Sequence, residues 1–316
     1  MLVRSRATSA TLLPEVAARR LAGDEIGLWV ELRNAVDPQL PVTREGVERG
    51  IQHEQTLAHF LGFVDGRPAG AALCLEQGDL RHTDVAVAFF GVLPAERRRG
   101  LGLALYRTCS EHARSLGKTQ LQVDLWEDDH DGRRFVNRRG FVEVERFARV
   151  RLDLEEVRLP ESAHPPGVEI VPLERCLDLA PQLFEIAREA AADMPSADPI
   201  EFSYDDWYRW EIRRETLRHD LGQVALANGQ PVGFGSIYVI GESRQGWNSI
   251  TAVRRSWRRR GVATAIKRAQ IEAAKDAGLT SLTTFSELRN IPMRTLNERL
   301  GYRPLPDQLR LRGPLA

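Results

Sequence analysis

Periodic and alternating apolar positions divide the chain into two successive runs that read alike. Each opens on a strand, at 16–21 and at 168–173, and continues into helical segments. A hairpin follows in each: strands 57–64 and 69–75 flank Asp65-Gly66, and strands 223–227 and 232–240 flank Asn228-Gly229. Both dipeptides tolerate the positive φ of a two-residue hairpin turn. Next comes a largely apolar strand, 85–92 or 249–253, then an arginine-rich loop and a long helix. Leu101, Ala104, Leu105, Thr108 and Leu116 share one face of the first helix, and Val262, Ala265, Ile266, Ala269 and Ala273 share one face of the second. Gly117 and Gly278 fall where a helix end needs a left-handed residue. A strand (119–125; 281–285), a short helix and a last strand complete each run. Strands joined through helices imply an α/β (α+β) fold, each half a mixed, mostly antiparallel sheet flanked by helices.

The likeness is a register, not an impression. Gly100 and Gly261 stand 161 residues apart, and the same offset relates Val92 to Val253, Arg97 to Arg258, Gly117 to Gly278, Gly140 to Gly301 and Phe141 to Tyr302. The turn 65–68 matches 228–231 at an offset of 163. Six ordered pairs on one offset indicate a duplicated domain. The proline-rich stretch 159–167 is the expected boundary, giving domains at 15–158 and 167–316. The first dozen residues have weak periodicity and read as a loosely ordered arm.

The repeated loop carries the candidate chemistry. Its copies are Arg97, Arg98, Arg99, Gly100, Leu101, Gly102 and Arg258, Arg259, Arg260, Gly261, Val262, Ala263, each between an apolar strand and a helix. First-turn amides of a helix have no internal partner, and the helix dipole favours an anion there. Glycine admits close approach of a phosphate, and arginine adds charge-assisted donors. A pyrophosphate is the expected guest. The bland reading is an exposed basic turn that caps a helix; two copies in one context favour function. Neither loop has the Gly-Lys-Ser/Thr of a Walker A motif, and Gly100-Leu101-Gly102 lacks the third glycine of a dinucleotide fingerprint.

These residues resemble the GNAT acetyltransferase superfamily over most of both halves. The match includes Val92-Leu93-Pro94 through Gly102, Val253-Arg254-Arg255 through Ala263, and the closing Arg139-Gly140-Phe141 and Leu300-Gly301-Tyr302. The resemblance implies acetyl-CoA as cosubstrate, and a splayed strand end near Val92 and Val253 whose backbone holds the pantetheine arm. It also implies direct attack of a substrate amine on the thioester. Many members place a thiolate-protonating tyrosine four residues before the glycine of the last Gly-Phe or Gly-Tyr pair. Here that position is Val136 in the first half and Asn297 in the second, so neither half has the acid. An asparagine N–H can still stabilise a thiolate; a valine cannot. Seven residues earlier the family often has Asn, which Asn290 keeps and Asp129 does not.

The second half is also richer in candidate acceptor contacts. Asp205, Asp206 and Trp207 fall where the family's early helices border the acceptor, and carboxylates beside an aromatic wall suit a cationic amine. Equally, Trp207 and Trp210 fit a core-facing pair on a helix. Glu287, read as a loop acid after strand 281–285, is a candidate base, with a purely structural role as its alternative. The expected function is an N-acetyltransferase acting on a small-molecule or protein amine through the second half. The alternative is an acyl-CoA sensor or scaffold with degenerate sites.

Composition trims this reading. The chain of 316 residues has 44 basic and 44 acidic residues, so no global charge attracts nucleic acid or an anionic membrane. Nor do aromatics interleave with the arginine loops. Cys74, Cys109 and Cys176 lack C-x-x-C spacing and form no disulfide or metal framework. No metal is expected. No apolar run approaches the ~20 residues of a bilayer span. A cytoplasmic monomer or homodimer is the expectation.

Overall fold

The computed structural model describes residues 14–77, 80, 83–159 and 165–316. The predicted N-terminal arm and 160–164 of the predicted linker lie outside the described residues. The first half runs β1 (Val16–Arg20), α1 (Ile26–Val36), α2 (Arg44–His53), β2 (Ala58–Val64), β3 (Arg67–Leu75), β4 (Val85–Val92), α3 (Leu101–Ser115), β5 (Gln120–Trp126), α4 (His130–Asn137) and β6 (Val142–Asp153). The second runs β7 (Glu169–Pro172), α5 (Ala180–Ala192), α6 (Tyr204–Trp207), β8 (Gln223–Ala227), β9 (Gln230–Val239), β10 (Gln245–Val253), α7 (Val262–Asp276), β11 (Ser281–Glu287), α8 (Ile291–Arg299), β12 (Arg303–Pro304) and β13 (Gln308–Pro314).

The duplication extends to backbone geometry. Among the described residues, the non-glycine residues with positive φ are Asp65, Arg98, Asn228 and Arg259, two registered pairs. The glycines that follow them, Gly66 with Gly229 and Gly100 with Gly261, are left-handed too. The buried stripe of α3, through Leu101, Leu105, Tyr106, Cys109, Ser110 and Ala113, recurs position for position in α7 as Val262, Ile266, Lys267, Gln270, Ile271 and Ala274. That stripe corrects the predicted faces, which ran through Ala265, Ala269 and Ala273. Apolar periodicity could not select a lysine and a glutamine as core positions.

Two predicted strands grow. β10 begins four residues early, across Gln245, Gly246, Trp247 and Asn248, whose polar and glycine content hides the strand. A Cβ at Gly246 would lie 2.8 Å from Leu282 Cδ2 and 3.0 Å from Leu279 Cδ1, so those side chains would have to shift to admit one. β11 extends to Glu287, which pairs with Phe147 of β6. Glu287 is therefore a buried strand residue, not the predicted loop acid.

Contacts divide the chain into two compact units. One comprises the chain up to Leu75, Ala88–Ser115 and Ala316; the other comprises Glu76–Val87 and Leu116–Leu315. In the smaller, α1 and α2 place Ile26, Trp29, Leu32 and Val47 on Leu61 of β2 and Ala71 of β3. In the larger, strand order is β5-β13-β6-β11-β10-β9-β8-β7, and the start of β4 pairs with β5. The chain's last strand thus inserts between β5 and β6, antiparallel to both. β6 in turn pairs antiparallel with β11 over seven residues. Each half is closed by the other's last strand. On the two faces of the β8–β10 sheet, α5 packs Leu183 and Ile186 on Phe234, while α7 packs Val262 and Ile266 on Ala225 and Val253.

Candidate functional site

Each loop is braced by its own first arginine. Arg97 Nε donates to the carbonyl of Val92 (3.3 Å), and Arg258 Nε to that of Val253 (3.0 Å). These side chains hold the strand end to the loop. Arg99 is ion-paired with Asp65 and Glu96. In the second loop Asp193, at the end of α5, binds both Arg255 (2.6 Å) and Arg258 (2.6 Å), which hold its carboxyl down to about 2. Arg260 lies over the Trp257 ring at 5.0 Å, and Arg259 and Arg260 are exposed.

The second loop presents the open start of a helix. The first turn bond of α7 runs from Ala265 N to Gly261 O (3.0 Å), so the amides that open the helix lie outside its own ladder. Gly261 caps the helix at φ 83°, and a Cβ there would meet nothing within 4 Å. Leu101 and Val262 are buried in their cores, so their contribution to such a site is the backbone. A phosphorylated ligand at this loop would meet these amides and the Arg259 and Arg260 guanidiniums.

Beside this loop the sheet opens. β10 and β11 pair in parallel only from Gln245↔Ser281 to Trp247↔Thr283, though β10 continues to Val253 and β11 to Glu287. A bulge between Asn248 and Thr251 interrupts the β9 ladder at the same point. Beyond Trp247 the β10–β11 ladder ends, with Thr284 Oγ1 donating to the Asn248 carbonyl at 3.5 Å, and a strand edge of this kind is one that an extended ligand can bridge. β4 and β5 likewise pair for only three residues, Val85↔Gln120 to Val87↔Gln122.

The wall under the second opening is polar. Tyr302 Oη donates to Asn248 Oδ1 (2.8 Å), and Asn248 Nδ2 donates to Gln270 Oε1 (3.2 Å). Lys267 lies over the Tyr302 ring at 5.1 Å, and burial lowers its amine to about 7. Asn297 Nδ2 reaches Ser286 Oγ at 3.5 Å, while its Oδ1 and the Nε2 of Gln270 are buried without partners among the described residues. At the matching positions the first half has Phe141 for Tyr302, Cys109 for Gln270, Tyr106 for Lys267, Val136 for Asn297, Leu125 for Ser286 and Val123 for Thr284. Buried polar atoms left unpaired are unfavourable, so the second half carries a burden that the first has shed.

The remaining predicted residues have defined places. Asn290 caps α8, its Oδ1 accepting from Met293 N (3.3 Å), and Asp129 caps α4 by accepting from Gly132 N (3.0 Å). The two therefore do the same structural work. Asn290→Ala is expected to lower stability by about 1 kcal/mol, and Asn290→Asp to leave it within a few tenths, as urea melts would show. Glu287 has both oxygens occupied by Arg289, through Nε (2.7 Å) and the backbone N–H (2.5 Å). Trp207 is a core residue against Phe184 and Phe234, with an indole N–H that has no partner among the described residues. Asp206 bonds Ser203 and Arg209 at the start of α6, and Asp205 is exposed. Three groups escaped the sequence reading: Asp193, Lys267 and Glu211. None of the three leaves a mark in local periodicity; Lys267 shares its buried stripe with a second polar residue, Gln270.

The geometry agrees with the comparisons. The Acetyltransferase (GNAT) family matches the chain twice, over residues 28–141 and 183–302. The chain belongs to that family, whose members use acetyl-CoA. A tandem GNAT protein from the clavulanic acid biosynthesis pathway aligns with a TM-score of 0.77 at 20% identity, over 96% of this chain and 99% of that one. A GCN5-related N-acetyltransferase from Sphaerobacter thermophilus gives 0.71 at 20% identity, over 95% and 96%. In sequence, a mycothiol acetyltransferase of Pseudarthrobacter chlorophenolicus is 23% identical over 293 residues, 85% of this chain and 83% of that one. Among the described residues no cluster of His, Cys, Asp or Glu could hold a metal, and no helix is long and apolar enough to cross a membrane.

Proposed function

We propose that the protein transfers an acetyl group from acetyl-CoA to a primary amine, and that the second half performs the transfer. The carrying observation is the asymmetry of the two interiors: Lys267, Gln270, Tyr302 and Asn297 are buried in the second half, where the first half has Tyr106, Cys109, Phe141 and Val136 at the same register. In this reading the amides of the second loop anchor the pyrophosphate, the open edge of β10 aligns the pantetheine arm, and the Asn297 amide offers an N–H to the departing sulfur. Holding both reactants in attack geometry supplies much of the acceleration. The name of the 23% identical relative also states acetyl transfer. The first loop keeps the same backbone, so the first half is a structural partner with a residual cofactor-type loop.

Calorimetric titration with acetyl-CoA, paired with thiol release in the presence of a panel of primary amines, tests this. Binding together with amine-dependent release is the expected result. Binding with no release from any amine favours the sensor reading, for which the missing tyrosine at Val136 and Asn297 already speaks. No binding sinks both.

A further inference from the structure

Glu211 lies in the π-helical turn Tyr208–Ile212 that follows α6. Such turns are rare and frequently sit at functional sites. Its carboxylate spans two strands: Oε1 accepts from Ser236 Oγ of β9, and Oε2 accepts from Ser249 Oγ of β10 at 2.9 Å. Ser249 sits inside the bulge between Asn248 and Thr251, where the edge of β10 turns free. Ser236 is fully buried and Ser249 is exposed. One carboxylate oxygen is thus anchored inward, and the other bonds a hydroxyl on the exposed residue Ser249.

The setting suits proton transfer. Two neutral hydroxyl donors orient the carboxylate and leave each oxygen a further lone pair. The titratable groups facing it are Arg214, from its own segment, and Tyr238 of β9, whose ring lies 4.0 Å under the Arg214 guanidinium. From α5, packed on the same turn, come the apolar Leu183, Ile186 and Ala187. Removal from water raises the Glu211 carboxyl above the ordinary value; Ser236, Ser249 and Arg214 pull it part of the way back. Glu287, on the same face of the sheet, is committed to Arg289 instead. In the first half Leu73 stands at the register of Ser236, so the inward anchor is missing there.

We infer that Glu211 is the general base of the second half, an assignment that rests on the transferase reading above. The acceptor's ammonium gives one proton to Glu211, and the freed nitrogen lone pair forms the C–N bond as the C–S bond breaks. A second N–H proton leaves with the sulfur as thiol, and Glu211 returns its own proton to solvent.

The test uses Glu211→Gln and Ser249→Ala in the full chain, with thiol release from acetyl-CoA measured from about pH 5 to pH 9. The acceptor is whichever panel amine the wild type turns over fastest. Glu211→Gln is expected to lower kcat/KM by about 10²-fold or more, to lose the acidic limb of the profile, and to bind acetyl-CoA within about twofold of wild type. Ser249→Ala removes a donor to the charged carboxylate, so the acidic limb should move to higher pH. If Glu211→Gln fails to fold by circular dichroism, that shift alone decides. An active wild type with Glu211→Gln within about threefold of it and an unchanged limb overturns the base and leaves the transferase standing. An unmoved limb in Ser249→Ala overturns it too. A wild type that releases no thiol with any amine overturns both.

Discussion

Gly261→Glu is expected to weaken acetyl-CoA binding by about 10²–10³-fold and to remove turnover, whereas Gly100→Glu should cost at least tenfold less turnover. Two effects add at Gly261. Its φ of 83° admits a side chain only with strain, on the order of 1 kcal/mol. The new carboxylate would then stand at a helix cap where a Cβ meets nothing within 4 Å. A carboxylate 4–5 Å from a phosphate repels it by about 3–4 kcal/mol at an effective dielectric of 20. Each 1.4 kcal/mol is tenfold in affinity. Gly261→Ala separates the two, since it keeps the strain and lacks the charge; a loss of about tenfold or less is expected. Gly100 has the same left-handed geometry, with Val16 Cγ2 the nearest atom at 3.9 Å from a Cβ, so the two glutamates are matched perturbations. Titration calorimetry and thiol release on folded variants read the outcome. Equal loss of turnover in both, or loss only with Gly100→Glu, would remove catalysis from the second half.

What could be read from the chain was local. The two hairpin turns, strand β4 at its observed ends, the loop and the start of the helix after it all follow from residues within a few positions of one another. Gly66 and Gly229, or Gly100 and Gly261, announce positive φ directly. Pairing between distant segments left no such mark. β13 reads as an ordinary alternating strand, and nothing in Gln308–Pro314 says that it lies between β5 and β6. Arg310 and Arg312 look like solvated charges, yet they meet Asp124, Glu145 and Asp198.

The site was legible to the same depth. Its phosphate end is a backbone motif and repeats as one. The side chains around it were not read: Glu211 stands between Trp210 and Ile212, Asp193 at a helix end, and Lys267 on a helix with charged neighbours. Two carboxylates of one half differ in their partners: Glu287 meets Arg289 two residues on, while Glu211 meets Ser236 and Ser249 of two other strands, which local reading does not reach. The family's missing tyrosine was visible at Asn297; the polar cluster around Asn248 and Gln270 was not.

Lys267 gives the second large effect, on stability and its pH dependence. The side chain is buried, with its amine over the Tyr302 ring, and its value falls from the ordinary 10.5 to about 7. Between those limits the unfolded chain holds a proton that the folded protein has released. Stability attributable to Lys267 therefore rises with pH from about 7 to about 10.5, by ~1.4 kcal/mol per unit, and the full penalty stands below pH 7. The ring's attraction for the cation offsets part of that penalty. Methionine has a similar length and no charge. Lys267→Met should consequently be more stable than wild type by a few kcal/mol at pH 6.5, with the gap closing as pH rises toward 9.5. Urea denaturation at three pH values measures the gap, and other titrating groups cancel in the difference. A constant gap would mean that the amine reaches water. A closing gap would show a lysine retained against stability beneath the opening of β10, at the position where the first half holds Tyr106. The Glu211 profile can then be measured in Lys267→Met, where an unmoved acidic limb shows that the two groups titrate independently.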